Sequence, residues 1–407
     1  MSRLTKTNIQ NIELMLKVKI KDFTNVITGG TPSTSKKEFW ENGNIPWLNS
    51  GELNQKIITS SRNYITKLGL EKSSSRLMPT DTVLMALTGS TTGVVGYLTF
   101  EACANQSVTG ILPSKKHNSK YLYYFLNHIR PKVLNDAYGG AQPHISQGYV
   151  KDIEIPLPPL PTQQKIAAIL DKADELRQYN KQLIEKYDAL TQSLFLEMFG
   201  DPVKNEKGWK TDVLKNVTSK IGSGSTPRGG KEAYQAEGIS LIRSLNIYDN
   251  EFKYKNLAFI NDDQANKLKN VTVESNDVLF NITGASVCRC TVVPDEVLPA
   301  RVNQHVSILR PISNKLNPQF LSHLLISENI KIQLLGVGSA GGAVMEAITK
   351  EQLEKFNIPI PPIELQNQFA ERVQLIETQK RQAQEALTKS EELFQSLLQR
   401  AFKGELA

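Results

Sequence analysis

The sequence predicts an α+β fold: two β-rich mixed domains joined by two long antiparallel coiled-coil helices, with pseudo-two-fold symmetry from an internal duplication. Three observations predict it. Residues 155–199 and 358–402 are two copies of one segment, separated by a constant 203 positions without a gap. After the Pro-rich opening of each copy, apolar residues recur at the three-four spacing of a coiled-coil seam. Upstream of each copy, alternating or β-branched runs stand between Gly, Asn and Ser turns, which reads as strands.

The copies open as Ile155-Pro-Leu-Pro-Pro159 and Ile358-Pro-Ile-Pro-Pro362, then share Gln163 with Gln366, Ala167 with Ala370, Gln192-Ser-Leu194 with Gln395-Ser-Leu397, and Phe199 with Phe402. Farther upstream the duplication loosens. Thr31-Pro32 recurs as Thr226-Pro227, Ile45–Ser50 resembles Ile239–Ser244, Val83–Gly89 recurs as Val278–Gly284, and Asn105-Gln106 as Asn303-Gln304, while the offset drifts from 194 to 198. Loops therefore differ in length between the copies. Ile145-Ser146 and Ile348-Thr349 restore the offset just before the Pro-rich boundary.

The helices are the most legible elements. Pro156–Pro161 cannot continue a helix, and Thr162 can cap one that starts near Gln163. The first seam then runs through Ile166, Ile169, Ala173, Leu176, Leu183, Tyr187, Leu190 and Leu194, with Asn180 on an inward position where a polar side chain sets register at a cost in stability. The second runs through Phe369, Val373, Ile376, Ala383, Leu387, Phe394, Leu397 and Ala401. Connectivity makes the pair antiparallel, since the second helix leaves the second domain and must return toward the first. Roughly 37 helical residues at ~1.5 Å each give a rod of about 55 Å.

In the domains, Asp81–Leu87, Val94–Phe100, Asp277–Ile282 and Thr291–Val293 read as strands, and Tyr121–Asn127 and Phe320–Ile326 as helices. The boundaries are residues 1–158 for the first domain, 159–201 for the central helix, 202–361 for the second domain and 362–407 for the C-terminal helix. Trp40 and Trp47 read as core.

A chain of 407 residues with 40% hydrophobic and 22% charged residues has the composition of an ordinary globular protein. It has no apolar run long enough to span a membrane, and a polar start at residues 1–10, which fits a cytoplasmic bacterial or archaeal protein. Three cysteines, Cys103, Cys288 and Cys290, argue against a disulfide framework and are too few for a four-ligand zinc site without histidine. The net charge of +7 favours a polyanionic partner, because clustered Lys and Arg release phosphate counterions on binding.

Catalytic chemistry is absent from the motifs. Gly224–Glu232 has the wrong glycine spacing for a phosphate loop and places Glu232 where Ser or Thr must meet magnesium. There is no Asp/Asn-Pro-Pro-Tyr/Phe motif of an amino-methyltransferase, and Pro294-Asp-Glu296 lacks the acidic-x-Lys partner of a nuclease site. His144 and His305 have no matching acid or nucleophile in the other copy. The expectation is no catalytic residue, no metal site and no cofactor in this chain.

Gly-Gly-Thr-Pro32 followed by Phe39-Trp40-Glu-Asn-Gly43 and Ile45-Pro-Trp-Leu48, the Thr-Gly and Asn-Gln motifs, the Ile-Pro-Leu-Pro-Pro159 boundary and Met198-Phe-Gly-Asp201 together resemble the DNA-specificity subunit of type I restriction-modification systems. The resemblance covers nearly the whole chain and is met twice in order. It implies that each domain is a target recognition domain for one half of a bipartite site in double-stranded DNA. It also implies that the helices space the half-sites and dock two methyltransferase subunits, with restriction/translocase subunits joining for cleavage. S-adenosylmethionine, ATP and magnesium would then belong to those partners. The second copy departs from the pattern, carrying Ile239-Ser-Leu-Ile242 and Ala233-Tyr234 where the first has Ile45-Pro-Trp-Leu48 and a Phe-Trp pair.

Loop-like segments supply the candidate DNA contacts. For phosphate these are Lys36, Lys37, Arg62, Arg76, Arg228, Lys231 and Arg243. For base edges they are Asn49, Asn54, Gln55, Gln142, Asn246 and Asn250, because amides form paired hydrogen bonds there.

Overall fold

The computed structural model describes residues 17–227, 229–339 and 347–406. The chain forms two compact units: residues up to Gln182 together with those from Gln384 onward, and Leu183–Ala383.

In the first unit the strands Val26–Thr28, Val108–Ile111, Val83–Ala86, Val95–Leu98 and Ile57–Ile58 form the principal sheet in that spatial order. The strand Val83–Ala86 is buried along its whole length because both faces of the sheet are covered. Val83 and Met85 join the core that holds the helices, while Leu84 and Ala86 join a second core on the opposite face. A smaller sheet pairs Ile45–Leu48 antiparallel with Asn63–Ile65 and parallel with Cys103–Ala104. Trp47 is buried there and its indole N–H donates to Gly30 O; Trp40 packs edge-on against it at 5.0 Å.

The second unit repeats this design. Its principal sheet runs Thr218–Ser223, Val306–Pro311, Val278–Asn281, Cys290–Val292, the same order without the short fifth strand. In its smaller sheet Ile239–Ile242 again has one antiparallel neighbour, Ala258–Ile260, and one parallel neighbour, Ala300–Val302. In each unit a two-stranded ladder, Lys17–Lys19 with Glu154–Pro156 and Thr211–Val213 with Asn357–Pro359, brings the domain's first strand to its Pro-rich exit.

Both long helices are 40 residues, Leu160–Phe199 and Ile363–Phe402. The first begins at Leu160 rather than near Gln163; Pro161 is accommodated in the first turn, where no intrahelical N–H bond is due. Within each unit the two helices run antiparallel. In the first, Arg177 lies over the Phe394 ring while Asn180 Nδ2 donates to Ser390 Oγ at 3.3 Å; in the second, Lys380 pairs with Asp188, and Phe369 meets Phe195 and Phe199.

The C-terminal seam follows the expected residues, completed by Gln366, half-buried Lys380 and buried Ser390. The central seam differs in one of its two rows. Ile166, Ala173, Asn180, Tyr187 and Leu194 face inward as expected, but the alternate row is Leu170, Arg177, Ile184, Thr191 and Met198. Leu176 and Leu190 are 46% and 50% exposed, while Ile169 and Leu183 lie half-buried at the margin. Two three-four ladders one residue apart share one row. Apolarity favours the ladder through Leu176 and Leu190, whereas packing selects the one carrying Arg177 and Thr191.

Gln163 and Gln366 explain their own repetition. Each is fully buried. Gln163 Oε1 accepts Asn118 N–H at 2.9 Å, and its amide nitrogen donates to Pro158 O and Lys116 O. Gln366 Oε1 accepts Asn317 N–H at 2.9 Å, and its nitrogen donates to Pro361 O and Lys315 O. One carboxamide thus satisfies the Pro-rich turn and the loop before the helix Ser119–His128 or Pro318–Ile326, groups that would otherwise be orphaned in the interior.

Candidate nucleic-acid interface

In each principal sheet three loops emerge from one end. In the first unit they follow Val26–Thr28, precede Val108–Ile111 and follow Val83–Ala86, and antiparallel pairing of these strands places the three loops together. Backbone bonds tie them: Gly30 N–H to Ala104 O, Leu87 N–H to Ser107 O, and Gly89 N–H to Pro143 O. In the second unit Gly224 N–H donates to Asn303 O and Ile282 N–H to His305 O.

The approach is close enough to dictate glycine. A Cβ on Gly29 would lie 2.2 Å from Ala104 O, and one on Gly224 would lie 1.8 Å from Val302 O. The repeated Thr-Gly turns are also alike, with Gly89 and Gly284 both at φ +73 and open space beyond them.

The repeated Asn-Gln motif splits its work. Asn105 and Asn303 side chains each accept the N–H two residues on, closing the turn. Gln106 and Gln304, exposed, each accept the hydroxyl hydrogen of the Thr-Pro threonine, Thr31 and Thr226. In the second unit Gln304 Nε2 is 3.1 Å from His305 Nε2, and His305 Nδ1 is 2.6 Å from Thr283 Oγ1. Sequence reading met these residues only as family-like motifs and named none as a contact; their recurrence in both copies was the available signal.

Of the expected contacts, Lys36 and Lys37 are exposed on the loop that follows Thr31, Lys36 over the Phe39 ring and Lys37 paired loosely with Glu41. Gln142 is exposed on the segment whose Pro143 O holds the Thr-Gly turn. Arg62, Arg76, Asn54 and Gln55 are exposed too, and Arg76 follows Ser75, whose hydroxyl donates to Gly30 O. The Lys231 side chain and Arg228 lie outside the described residues.

Four expected contacts are instead committed to the fold. Asn49 caps a 3-10 turn by accepting Gly51 N–H, and the buried Glu52 returns a bond from Asn49 N–H and takes another from Arg62 N–H. Asn246 is the counterpart of Glu52: fully buried, it accepts Arg243 N–H and donates to Lys253 O. Arg243 donates to Asn256 O and stacks on Tyr234. Asn250 accepts from the Ser322 hydroxyl. Short polar loops must satisfy their own backbone, and three of these side chains are spent doing so, while Asn250 is tied to the helix that carries Ser322.

Among the described residues no group of His, Cys, Asp and Glu is arranged to hold a metal ion, and no helix is long and apolar enough to cross a membrane. Cys103 and Cys290 are buried thiols, and burial pushes them up to about 11 and about 12, away from thiolate chemistry.

The model of the family described as type I restriction modification DNA specificity domain matches residues 11–186 and again 206–389. The MjaIX specificity subunit of a type I restriction enzyme from Methanocaldococcus jannaschii is 29% identical over 379 residues, covering 88% of this chain and 85% of that protein. The Escherichia coli EcoR124I/EcoR124II specificity subunit is 33% identical over 153 residues, covering 36% of this chain and 38% of its own length. Among solved structures, the S subunit of a type I restriction-modification system from M. genitalium superposes with a TM-score of 0.59 at 17% identity, covering 95% of this chain and 96% of that one.

Proposed function

The chain belongs to the type I restriction modification DNA specificity domain family, and from that premise we propose that it is the non-catalytic, sequence-reading subunit of a type I restriction-modification complex. Each domain reads one half of a bipartite site in double-stranded DNA. The observation that carries this reading is the pair of equivalent sheet ends, which present the same polar framework beside segments that differ in length and composition. Two readers in one chain make the second contact effectively intramolecular, so two weak half-site contacts act as one strong one.

In this reading Lys36, Lys37, Arg62, Arg76, Arg228 and Lys231 meet phosphate, and Gln142, Asn54 and Gln55 supply amides to base edges. The central and C-terminal helices set the gap between half-sites and dock two methyltransferase subunits, to which restriction/translocase subunits are added. Methyl transfer and strand cleavage, with S-adenosylmethionine, ATP and magnesium, belong to those partners. The domain limits that follow are 1–158 and 202–361 for the readers, 159–201 and 362–407 for the helices.

The test is to co-express this chain with its methyltransferase partner and map N6-methyladenine across the host genome. A split motif, two short defined halves around a fixed unread gap, is expected. A stable complex that binds DNA but writes no motif overturns sequence reading. Half-sites facing one side of the duplex lie about one helical turn apart, ~34 Å. Lengthening both helices by matched turns is then expected to change the gap, and an unaltered gap sinks the spacing role.

A further inference from the structure

One polar pair bridges two of the three loops at the sheet end in both domains, and it has the chemistry of a ligand contact rather than of a core. We propose that Thr31–Gln106 and Thr226–Gln304 are equivalent anchors for the sugar-phosphate backbone of DNA, binding phosphate oxygens whatever the base, while base reading falls to the segments in which the domains differ. The inference rests on the DNA-reading function above and adds a division of labour within it.

Each threonine hydroxyl donates to its glutamine Oε1, which fixes the carboxamide and leaves the N–H groups as its donors. Both glutamines are exposed, so the pair does not serve the interior. In the second domain the donors run on. Gln304 Nε2 can only donate, so His305 Nε2 accepts; the ring proton then sits on Nδ1 and donates to Thr283 Oγ1 at 2.6 Å. Among the described residues the line ends with the Thr283 hydroxyl, which can donate onward beside Gly284, where a side chain would meet none of them within 4 Å.

Identity between the copies supplies the second argument. A group that reads a base must change when the base changes, whereas a group that holds phosphate need not. The strands and motifs around these pairs persist while the segments after them diverge, as Ser33-Thr-Ser-Lys-Lys37 against Arg228-Gly-Gly-Lys231 illustrates. Uncharged amide and hydroxyl donors also suit phosphate oxygens without adding charge.

The test uses the chain assembled with its methyltransferase partner. Gln106→Glu and Gln304→Glu keep the oxygen that accepts from threonine, so the loops stay tied, but set a negative charge toward phosphate. Affinity for cognate and non-cognate duplex alike is expected to fall about tenfold or more at low salt, and alanine at either position to lower it about two- to tenfold. The methylated motif should keep every base. A motif that relaxes at one base pair overturns the proposal by making the glutamine a reader, and unchanged affinity in the glutamate variants overturns it by making the pair structural. If the wild-type complex binds duplex but writes no split motif, sequence reading fails while the affinity comparison still judges the anchors; if it binds no duplex, both fail.

Discussion

At the first domain, Tyr124 reaches the central helix and donates to Asp171 Oδ1 at 2.6 Å, with Lys120 joining the same carboxylate at 3.3 Å. At the equivalent place in the second domain stands His323, whose Nδ1–H turns back to Gln319 O in its own helix. There the C-terminal helix is held by rings: Phe195, Phe199, Phe320 and Phe369 meet at centroid distances of 4.7 to 5.8 Å, whereas the first domain keeps the equivalent Tyr121–Phe402 pair at 5.4 Å but has Leu398 and Ile166 in place of Phe195 and Phe369. Yet both domains keep the same buried glutamine at the helix start. The difference teaches where duplication is strict. Contacts that only fill volume can be rebuilt from other side chains, whereas the carboxamide that completes a buried backbone has few substitutes.

Four experiments break or sharpen that contrast. The largest effect is expected where the second domain has no counterpart in the first. Asp277, fully buried, takes two bonds from Arg310 at 2.7 and 2.9 Å, while the first domain has Thr82 at this place. Asp277→Ala removes the buried partner of Arg310, leaving it Glu274 and Thr272 O, and should cost about 3–5 kcal/mol in urea unfolding, and Thr82→Ala much less; equal costs would dissolve the asymmetry.

Next, Gln163→Leu and Gln366→Leu each remove three bonds to buried backbone groups and should each cost about 2–4 kcal/mol. The two values are expected to agree within about 1 kcal/mol, within the context dependence of such bonds. Strong disagreement would mean that the shared device carries different weight in each domain.

Acid supplies the third. His323 is held near 4 by burial, with Lys380 adding to the depression, and His117 in the first domain is held near 4 by burial. Both lie below the ordinary value of 6.5, so between about pH 6.5 and 4 the unfolded chain gains protons that the folded rings refuse. Stability therefore drops as pH falls through that interval, on the order of 1 kcal/mol per unit for each ring, and these rings leave it flat above. His323→Phe should flatten the second domain's share, read as the pH slope of denaturation midpoints; an unchanged slope refutes the assignment.

The smallest effect lies in the seam. Asn180→Leu removes a buried amide whose partner Ser390 keeps its bond to Leu387 O, and should raise stability by about 1 kcal/mol. Thermal unfolding of the variant checks the sign.

Much of this was legible beforehand because repetition is independent of folding detail. The duplicated helices and the C-terminal seam follow from spacing, and their antiparallel pairing within each unit from connectivity. One row of the central seam did not, since Arg177 and Thr191 occupy inward places that an apolar count passes over, and Leu176 and Leu190 offer a rival ladder. The interface was legible as motifs rather than contacts. Asn49, Asn246, Asn250 and Arg243 have the right chemistry for DNA, but only their three-dimensional neighbours reveal that backbone groups, and for Asn250 the Ser322 hydroxyl, already claim them. Gln106 and Gln304 stood out as a repeated motif, but nothing in the sequence set them apart as contacts from the other amides.

The tight approach at Gly29 and Gly224 bears on anyone who would redesign the recognition surface. Libraries that randomise a whole loop would be dominated by members with a Cβ driven into a carbonyl, and most would be lost before any selection for binding began. Holding Gly29, Gly30, Thr31 and Gln106, and Gly224, Thr226 and Gln304, while varying the exposed residues 33–38 and 54–55 in one domain and 235–237 in the other, confines diversity to positions outside the core. The glycines thus mark the seam along which new specificities could be grafted.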